Sequence, residues 1–361
     1  MLTYKRKLIL SGDQQSRIEK WIGACRVVYN LGLEIRMEAW KNKQQTVHKF
    51  ELMGQLTDIK DIDWIADVPA QSLQSVIERL DNSYKIFFKG GGFPKWATKR
   101  KYCSIKFKQM WGGLKVENNK VYIQKIGWLK IFKNTEIFGN IKTATIKKEQ
   151  TGYFISIVTD ATKNIQNKDE NQVIGLDMGL SHFCVDSKGN FITNPKHFEK
   201  YEAKLRIENR SLARKKKGSN SWKRQCKKLA LLHHKISNVR KDFLHKESTK
   251  IAKQYHTVYM EDLNVRGMVR NPKLAKHILD AGWGMFGTMV AYKTNRVGVN
   301  PKHTSQQCYV CGHIAKENRK TQSEFECVKC GNIDNADVNA GKNIEGKGIT
   351  ENRQRKALAC A

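Results

Sequence analysis

Between residues 11 and 88 the apolar positions follow a helical period. Ile18, Ile22, Cys25, Val28 and Tyr29 recur on one side with basic residues opposite, which predicts a long amphipathic helix. Ser11 and Asp13 stand where its N-cap is needed. Leu73, Val76, Ile77, Leu80, Tyr84 and Phe87 are in phase over 68–88 and predict another helix, broken by Gly90, Gly91 and Gly92. The first ten residues carry Tyr4, Leu8 and Leu10 among lysines and arginines and read as a short strand. From 104 to 160 the period falls to two, as in Val121-Tyr122-Ile123 and in 153–158. These stretches, bounded by Gly and Asn turns, predict a small β-barrel or sandwich. Residues 161–171 are polar and read as a linker.

The pattern changes after the linker. Residues 173–177 form a short apolar run, the mark of a buried strand. Phe183-Cys184-Val185 and Phe191-Ile192 flank residues 187–190 and read as a hairpin. Residues 196–253 are helical, with Leu229, Leu232, Ile236, Val239 and Phe243 on one face and a turn at Gly218. Val258-Tyr259-Met260 is a further strand ending at Glu261; 274–292 reads as one helix, and a short last helix begins at Asp337. The prediction is a multidomain α+β protein.

With 361 residues, 40% of them hydrophobic, the chain can bury real cores, which excludes global disorder. No apolar run approaches the roughly 18 residues of a membrane span, and no apolar signal core follows the N-terminus. Neither a membrane partner nor secretion is expected. Charge narrows the field further. Lysine and arginine number 66 against 34 acids, a net +32. Such an excess calls for a polyanion, nucleic acid first, because neutralising phosphates releases counterions. Within 196–253 there are 19 basic and 5 acidic residues, a density that repels itself unless a polyanion lies against it. Arg214, Lys215, Lys216, Lys217, Lys223 and Arg224 are its densest cluster. In 84–102, Lys85, Lys89, Lys95, Lys99 and Arg100 alternate with aromatic rings, so lysines can hold phosphates while rings stack bases. For Tyr84, Phe87 and Phe88 a buried core is the favoured reading.

Nine cysteines fall into two sets. Cys25, Cys103, Cys184, Cys226 and Cys360 are scattered, as in a reducing cytosol. The other four form Cys308-x2-Cys311-x15-Cys327-x2-Cys330, the spacing of a tetrahedral zinc site. Gly312 and Gly331 follow the second cysteine of each knuckle, where the turn needs positive φ. Four thiolates fill the coordination sphere, so the zinc is structural; a redox pair is the competing reading. Three carboxylates stand at predicted strand or helix ends: Asp177, Glu261 and Asp337. Brought together they repel one another unless a hard cation such as Mg²⁺ sits among them. Singly, each also fits a turn or cap residue, and Asp334 competes with Asp337 for the third place.

Taken in order, these segments resemble the TnpB family of transposon-encoded RNA-guided nucleases, which is related to the compact type V CRISPR effectors. The resemblance rests on Cys25-Arg26-Val27-Val28-Tyr29-Asn30 and on the 68–74 block with Gln71. It continues through Tyr84 to Phe88, Gly92-Phe93-Pro94-Lys95 and Ile174-Gly175-Leu176-Asp177-Met178-Gly179. Glu261-Asp262-Leu263-Asn264, Asp280-Ala281-Gly282-Trp283, Thr304-Ser305-Gln306 before the first knuckle, and Asp337-Val338-Asn339-Ala340 complete it. It spans nearly the whole chain. Two mild departures are Ala336, where the family often has Arg, and Gly341 in place of a common Ala.

The resemblance implies an RNase H-like (RuvC) nuclease domain at 171–304 and 334–361, interrupted by a zinc ribbon at 305–333. It implies an N-terminal β-barrel (wedge) domain at 1–10 and 104–165, with a helical recognition insertion at 11–103. Asp177, Glu261 and Asp337 would hold Mg²⁺, two ions, and hydrolyse DNA. The partners implied are a guide RNA made from the transposon end and a double-stranded target DNA bearing a short adjacent motif. The basic residues above and Gln71 would touch nucleic acid. A monomer in the RNA complex, in a prokaryotic cytoplasm at the nucleoid, completes the expectation. The segment 293–301 is read as several residues shorter than the family's connection, which includes a strand, so the sheet is not expected to be complete there. The competing functions are a guided DNA-binding repressor that does not cut and a basic zinc-ribbon RNA-binding protein.

Overall fold

A computed structural model describes residues 1–108, 113–132, 136–161 and 169–360, apart from the side chains of 60, 61, 356 and 358–360. Most of the expected linker, 162–168, lies outside the described residues. The protein is a mixed α/β multidomain molecule with two compact units, Met1–Asn164 and Ile165–Ala361.

In the first unit, strand β1 (Leu2–Ile9) leads into helix α1 (Gly12–Lys43). A capping box starts the helix: Gln14 N donates to Ser11 Oγ (3.3 Å) and Ser11 N donates to Gln14 Oε1 (3.1 Å). The short helices α2 (Lys49–Gly54) and α3 (Asp63–Ala66) precede α4 (Ala70–Phe88). Strands β2 (Ser104–Lys108), β3 (Leu114–Glu117), β4 (Lys120–Ile123), β5 (Gly127–Ile131), β6 (Ile141–Glu149) and β7 (Gly152–Thr159) follow. They pair antiparallel in the order β2-β6-β7-β1-β5-β4-β3. β1 pairs with β7 over its first residues and with β5 at Leu8 and Ile9, so it joins the two halves of the sheet. β3 also lies against β6. Trp21, Leu33, Leu73, Leu80, Ile123 and Ile146 are among its fully buried side chains. Each such aliphatic side chain is worth about 1.5–3 kcal/mol of burial. Phe88 breaks the expected core pattern: it is 76% exposed, because α4 runs past the core that Leu80 closes.

The second unit is built on β8 (Val173–Met178), β9 (His182–Asp186), β10 (Phe191–Thr193), β11 (Thr257–Glu261) and β12 (Asn295–Val299). Their order is β10-β9-β8-β11-β12, with β8, β11 and β12 mutually parallel and β9 and β10 antiparallel. Between β10 and β11 run α5 (His197–Ala213) and α6 (Asn220–Gln254), packed through Leu205, Leu232 and Ile236. α7 (Val265–Met268), α8 (Pro272–Ala281) and α9 (Trp283–Ala291) lead to β12. The small antiparallel pair β13 (Glu324–Glu326) and β14 (Ile333–Asn335) precedes α10 (Ala336–Cys360).

Three expectations are corrected here. The 293–301 segment does contain a strand: β12 pairs with β11 from Thr257↔Asn295 to Glu261↔Val299. Five residues are enough, because Val297 and Val299 bury their side chains while the alternate positions do not. The stretch 274–292 is two helices, since Gly282 adopts a left-handed conformation (φ 72°) between them. The last helix is long, 25 residues, and lies across β8, β9, β11 and β12. Its approach depends on two glycines: a Cβ on Gly175 would stand 2.2 Å from Gly341 O. Glu345 fastens the same contact by accepting from Ser187 Oγ and from Gly175 N.

Candidate functional site

β8 and β11 are adjacent, parallel and in register through Leu176↔Met260. The next residue of each strand, Asp177 and Glu261, therefore emerges at the same sheet edge. Asp337 enters from the first turn of α10, whose N-terminus is ordered by Asn335 Oδ1 accepting from Asp337 N (3.0 Å) and Val338 N (3.3 Å). A helix N-terminus favours negative charge, so the helix also steadies the acids it faces.

Asp177 feels both of the other acids. The Asp177 carboxyl is pushed up to about 7, first by burial and then by the charges of Glu261 and Asp337, with Arg319 opposing. Burial also raises Glu261, against a hydrogen bond from Thr304 and the charge of Lys347. Thr304 Oγ1 donates to Glu261 Oε1 at 2.5 Å. Arg319 Nη2 meets Asp337 Oδ1 at 3.0 Å. Asp334 is engaged elsewhere, with Lys342 Nζ at 2.7 Å. Of the two aspartates left open by spacing, Asp337 is thus the one facing Asp177. The acids are looser than the thiols: among the described residues only the four cysteines bring their ligand atoms within 4.8 Å of one another. Thr304 and Arg319 explain this, each holding one carboxylate. The donor set fits a hard divalent cation, because three carboxylates, two of them repelling Asp177, offer oxygen ligands.

Thr304, Arg319 and Lys347 were not foreseen. Thr304 carried a signal in its Thr-Ser-Gln motif. Arg319 carried none, because it reaches Asp337 only through the fold of the ribbon.

In the segment between β12 and α10, Cys308 Sγ lies 3.7 Å from Cys330 Sγ and Cys311 Sγ lies 3.6 Å from Cys327 Sγ. A tetrahedral ion with bonds of about 2.3 Å sets its sulfurs about 3.8 Å apart, so the cluster is a candidate zinc site. Gly312 (φ 73°) and Gly331 (φ 71°) turn the knuckles as expected. α10 grips the first knuckle. Asn339 accepts from Tyr309 N (3.1 Å) and donates to Gln307 O (2.8 Å), while Asn343 donates to Thr304 O (2.9 Å). One short element thus carries a thiol cluster and holds two residues that touch the acids. Along α10 a cleft of about 590 Å³ is lined by Lys302, Tyr309, Lys342 and Lys347.

The remaining candidates are on surfaces. Lys85, Lys89, Lys95, Lys99 and Arg100 are exposed in the first unit, where Gln71 is half-buried. Lys85 pairs with Asp81 at 3.2 Å. In the second unit Arg214, Lys216, Lys217, Lys223 and Arg224 are exposed and Lys215 is half-buried, at the turn between α5 and α6.

Comparison with known proteins places this architecture. The chain is 31% identical to an Escherichia coli protein named "Putative RNA-guided DNA endonuclease InsQ", over 96% of this chain and 92% of that one. The chain belongs to the TnpB family. A Streptomyces pristinaespiralis protein described as an RNA-guided DNA endonuclease is 29% identical to this family member, over 96% of this chain and 89% of the other. A family model described as "Probable transposase" matches residues 156–272. A "Cas12f1-like, TNB domain" model matches 283–344, which takes in β12, the ribbon and the start of α10. A "Helix-turn-helix domain" model matches 1–45, where the fold is one strand and one unbroken helix. In fold, this TnpB-family chain resembles a solved Cas12f1–sgRNA–target DNA complex at a TM-score of 0.59 and 15% identity. The match covers 93% of this chain and 83% of that one. No helix among the described residues is long and apolar enough to cross a membrane.

Proposed function

We propose that this protein is an RNA-guided DNA endonuclease that hydrolyses phosphodiester bonds in duplex DNA matched to a bound RNA. The carrying observation is the convergence of Asp177, Glu261 and Asp337, with the Asp177 carboxyl pushed up to about 7 by burial and by the charges of the other two. The strand order β10-β9-β8-β11-β12 under α10 supports reading 171–304 and 334–361 as an RNase H-like (RuvC) domain. The printed names of the relatives, and the RNA and DNA in the Cas12f1 complex, support the partners.

Asp177, Glu261 and Asp337 would hold Mg²⁺. When bound, a pair of such ions activates water and stabilises the leaving oxygen. Thr304 orients Glu261, and Arg319 balances charge at Asp337. Cys308, Cys311, Cys327 and Cys330 bind structural zinc in the ribbon, 305–333. In the first unit, 1–10 and 104–165 form the wedge barrel, supported by β3 lying against β6, and 11–103 the recognition insertion. The guide RNA supplies sequence by base pairing, so the protein's basic surfaces grip backbone.

The test is to sequence the RNA that copurifies with the protein from its native locus, then to assay Mg²⁺-dependent cleavage of matched DNA. Cutting that survives in Asp337→Ala would remove the third acid from the mechanism. Asp334→Ala is expected to retain cutting, since Asp334 answers to Lys342; loss in that variant alone reverses the assignment. Guided DNA binding without cutting supports the repressor reading, and no specific RNA leaves a basic zinc-ribbon protein.

Salt provides an independent check. Six to ten phosphate contacts lose roughly 10³–10⁵ in affinity between about 50 and 200 mM salt. RNA binding measured by filter retention is expected to fall at least 100-fold over that range; a flat profile contradicts the electrostatic grip.

A further inference from the structure

The end of α4 and the strap that follows carry a feature the nuclease centre does not use. Tyr84 and Phe87 are half-buried, and against them stand Phe93 (edge-on, 5.7 and 5.3 Å between ring centres) and Phe88 (5.3 Å from Phe87). The outer rings face solvent: Phe88 is 76% exposed, Phe93 46%, and Trp96, three residues on, 48%. Arg36 lies over the Tyr84 ring at 4.9 Å and fixes the inner layer.

The strap from Gly91 to Ala97 has no regular secondary structure, yet it is held. Asn30, on α1, holds both backbone polar groups of one residue: Ala97 N donates to Asn30 Oδ1 (2.8 Å) and Asn30 Nδ2 donates to Ala97 O (3.2 Å). Pro94, in the middle of the strap, is buried. Exposed aromatic rings on a fixed backbone lose little entropy when they bind.

Charge names the occupant. No Asp or Glu occurs between Asp81 and Glu117, while Lys85, Lys89, Lys95, Lys99, Arg100 and Lys101 lie among or just beyond these rings. Among the described residues no carboxylate pairs with Lys89, Lys95, Lys99 or Arg100. A cationic rim around outward rings fits unpaired nucleotides, whose bases stack while their phosphates meet lysine. A paired helix hides its base faces and cannot use the rings.

We propose that Phe88, Phe93 and Trp96 form a stacking platform for single-stranded nucleic acid, set in place by Asn30. The proposal deepens the nucleic-acid-binding part of the reading above and is independent of whether the protein cuts. The test uses the full-length protein and a fluorescent 12-nucleotide oligo(dT), compared with a blunt duplex of equal length, by anisotropy over a salt series. Phe88→Ala with Phe93→Ala is expected to weaken oligo(dT) binding roughly 10-fold or more, leaving duplex binding and the salt slope unchanged. Lys89→Gln with Lys95→Gln should instead lower the slope for both probes. Asn30→Ala is expected to reproduce the phenylalanine effect, slope unchanged. Equal loss on both probes, or no loss, overturns the proposal. So does a shift from dimer to monomer in the phenylalanine variant by light scattering, which would assign the rings to a second copy of the chain. A protein that binds but does not cut still returns an answer, so this failure is separable from failure of the nuclease reading.

Discussion

Replacing Asp177 by Asn is expected to abolish DNA cleavage and, in the same protein, to raise the stability of the magnesium-free form at pH 8. The two effects share one cause. The Asp177 carboxyl is raised from 3.8 to about 7 by burial and by the charges of Glu261 and Asp337. A carboxyl raised in this way ionises in the unfolded chain before it ionises in the folded one. Between about pH 4 and pH 7 the native state therefore binds more protons than the unfolded state, and stability falls as pH rises. Above pH 7 the full loss is in place, at most about 4 kcal/mol. Asn carries no charge and escapes it. Differential scanning fluorimetry without metal should show Asp177→Asn several degrees above the parent at pH 8, with the gap closing toward pH 4. Millimolar Mg²⁺ should raise the melting temperature of the parent and leave the variant nearly unmoved. Cleavage should fall at least about 1,000-fold in the variant while guided DNA binding persists. Unchanged cutting excludes Asp177 from the chemistry; an equal Mg²⁺ response in both proteins excludes it from the metal site.

How much of this was legible in the sequence depends on the range of the interaction. β8 and β11 stood out because strands buried on both faces are short apolar runs, and Asp177 and Glu261 are the polar residues that end them. The cysteines were legible because knuckle spacing is local chemistry. Ser11 was legible as a cap for the same reason. Asp337 against Asp334 was not, since both lie within one turn of the start of α10. What separates them is folded-state contact: Asp337 acts on Asp177, while Asp334 pairs with Lys342, eight residues on.

Longer-range features were read wrongly or missed. The apolar period over 274–292 runs through Gly282 without a gap, and glycine alone does not announce a break. The 293–301 strand was discounted on length, although Val297 and Val299 alternate as a strand requires. Phe88 keeps the helical phase of α4, but phase cannot reveal where a core ends; the helix simply outruns it. Arg319 and Thr304 reach the acids from either side of the first knuckle, a proximity that requires the ribbon to be folded.

That dependence yields the second large effect. Cys327→Ser is expected to release zinc, to lower the stability of the second unit, and to stop cleavage although no acid has changed. The apolar core around the four thiols is small: Cys308, Phe325, Cys327 and Ala336, with one large apolar side chain. In zinc-finger peptides the metal supplies about 10–16 kcal/mol, far more than this cluster offers. Without it the knuckles open, and three fastenings loosen together. Arg319 leaves Asp337, Tyr309 N leaves Asn339, and the Thr304 carbonyl leaves Asn343. Thr304 is then free to let go of Glu261, and the acids lose the geometry that makes them one site. Zinc per chain, by atomic absorption, and cleavage rate should fall together, the latter at least about 100-fold. Full zinc occupancy in Cys327→Ser would refute the four-thiolate site. Zinc loss with normal cutting would refute the coupling through α10. Asn339→Ala separates the two links: it leaves all four thiols in place, so it should keep zinc and still slow cutting, because the grip between knuckle and helix is what it removes.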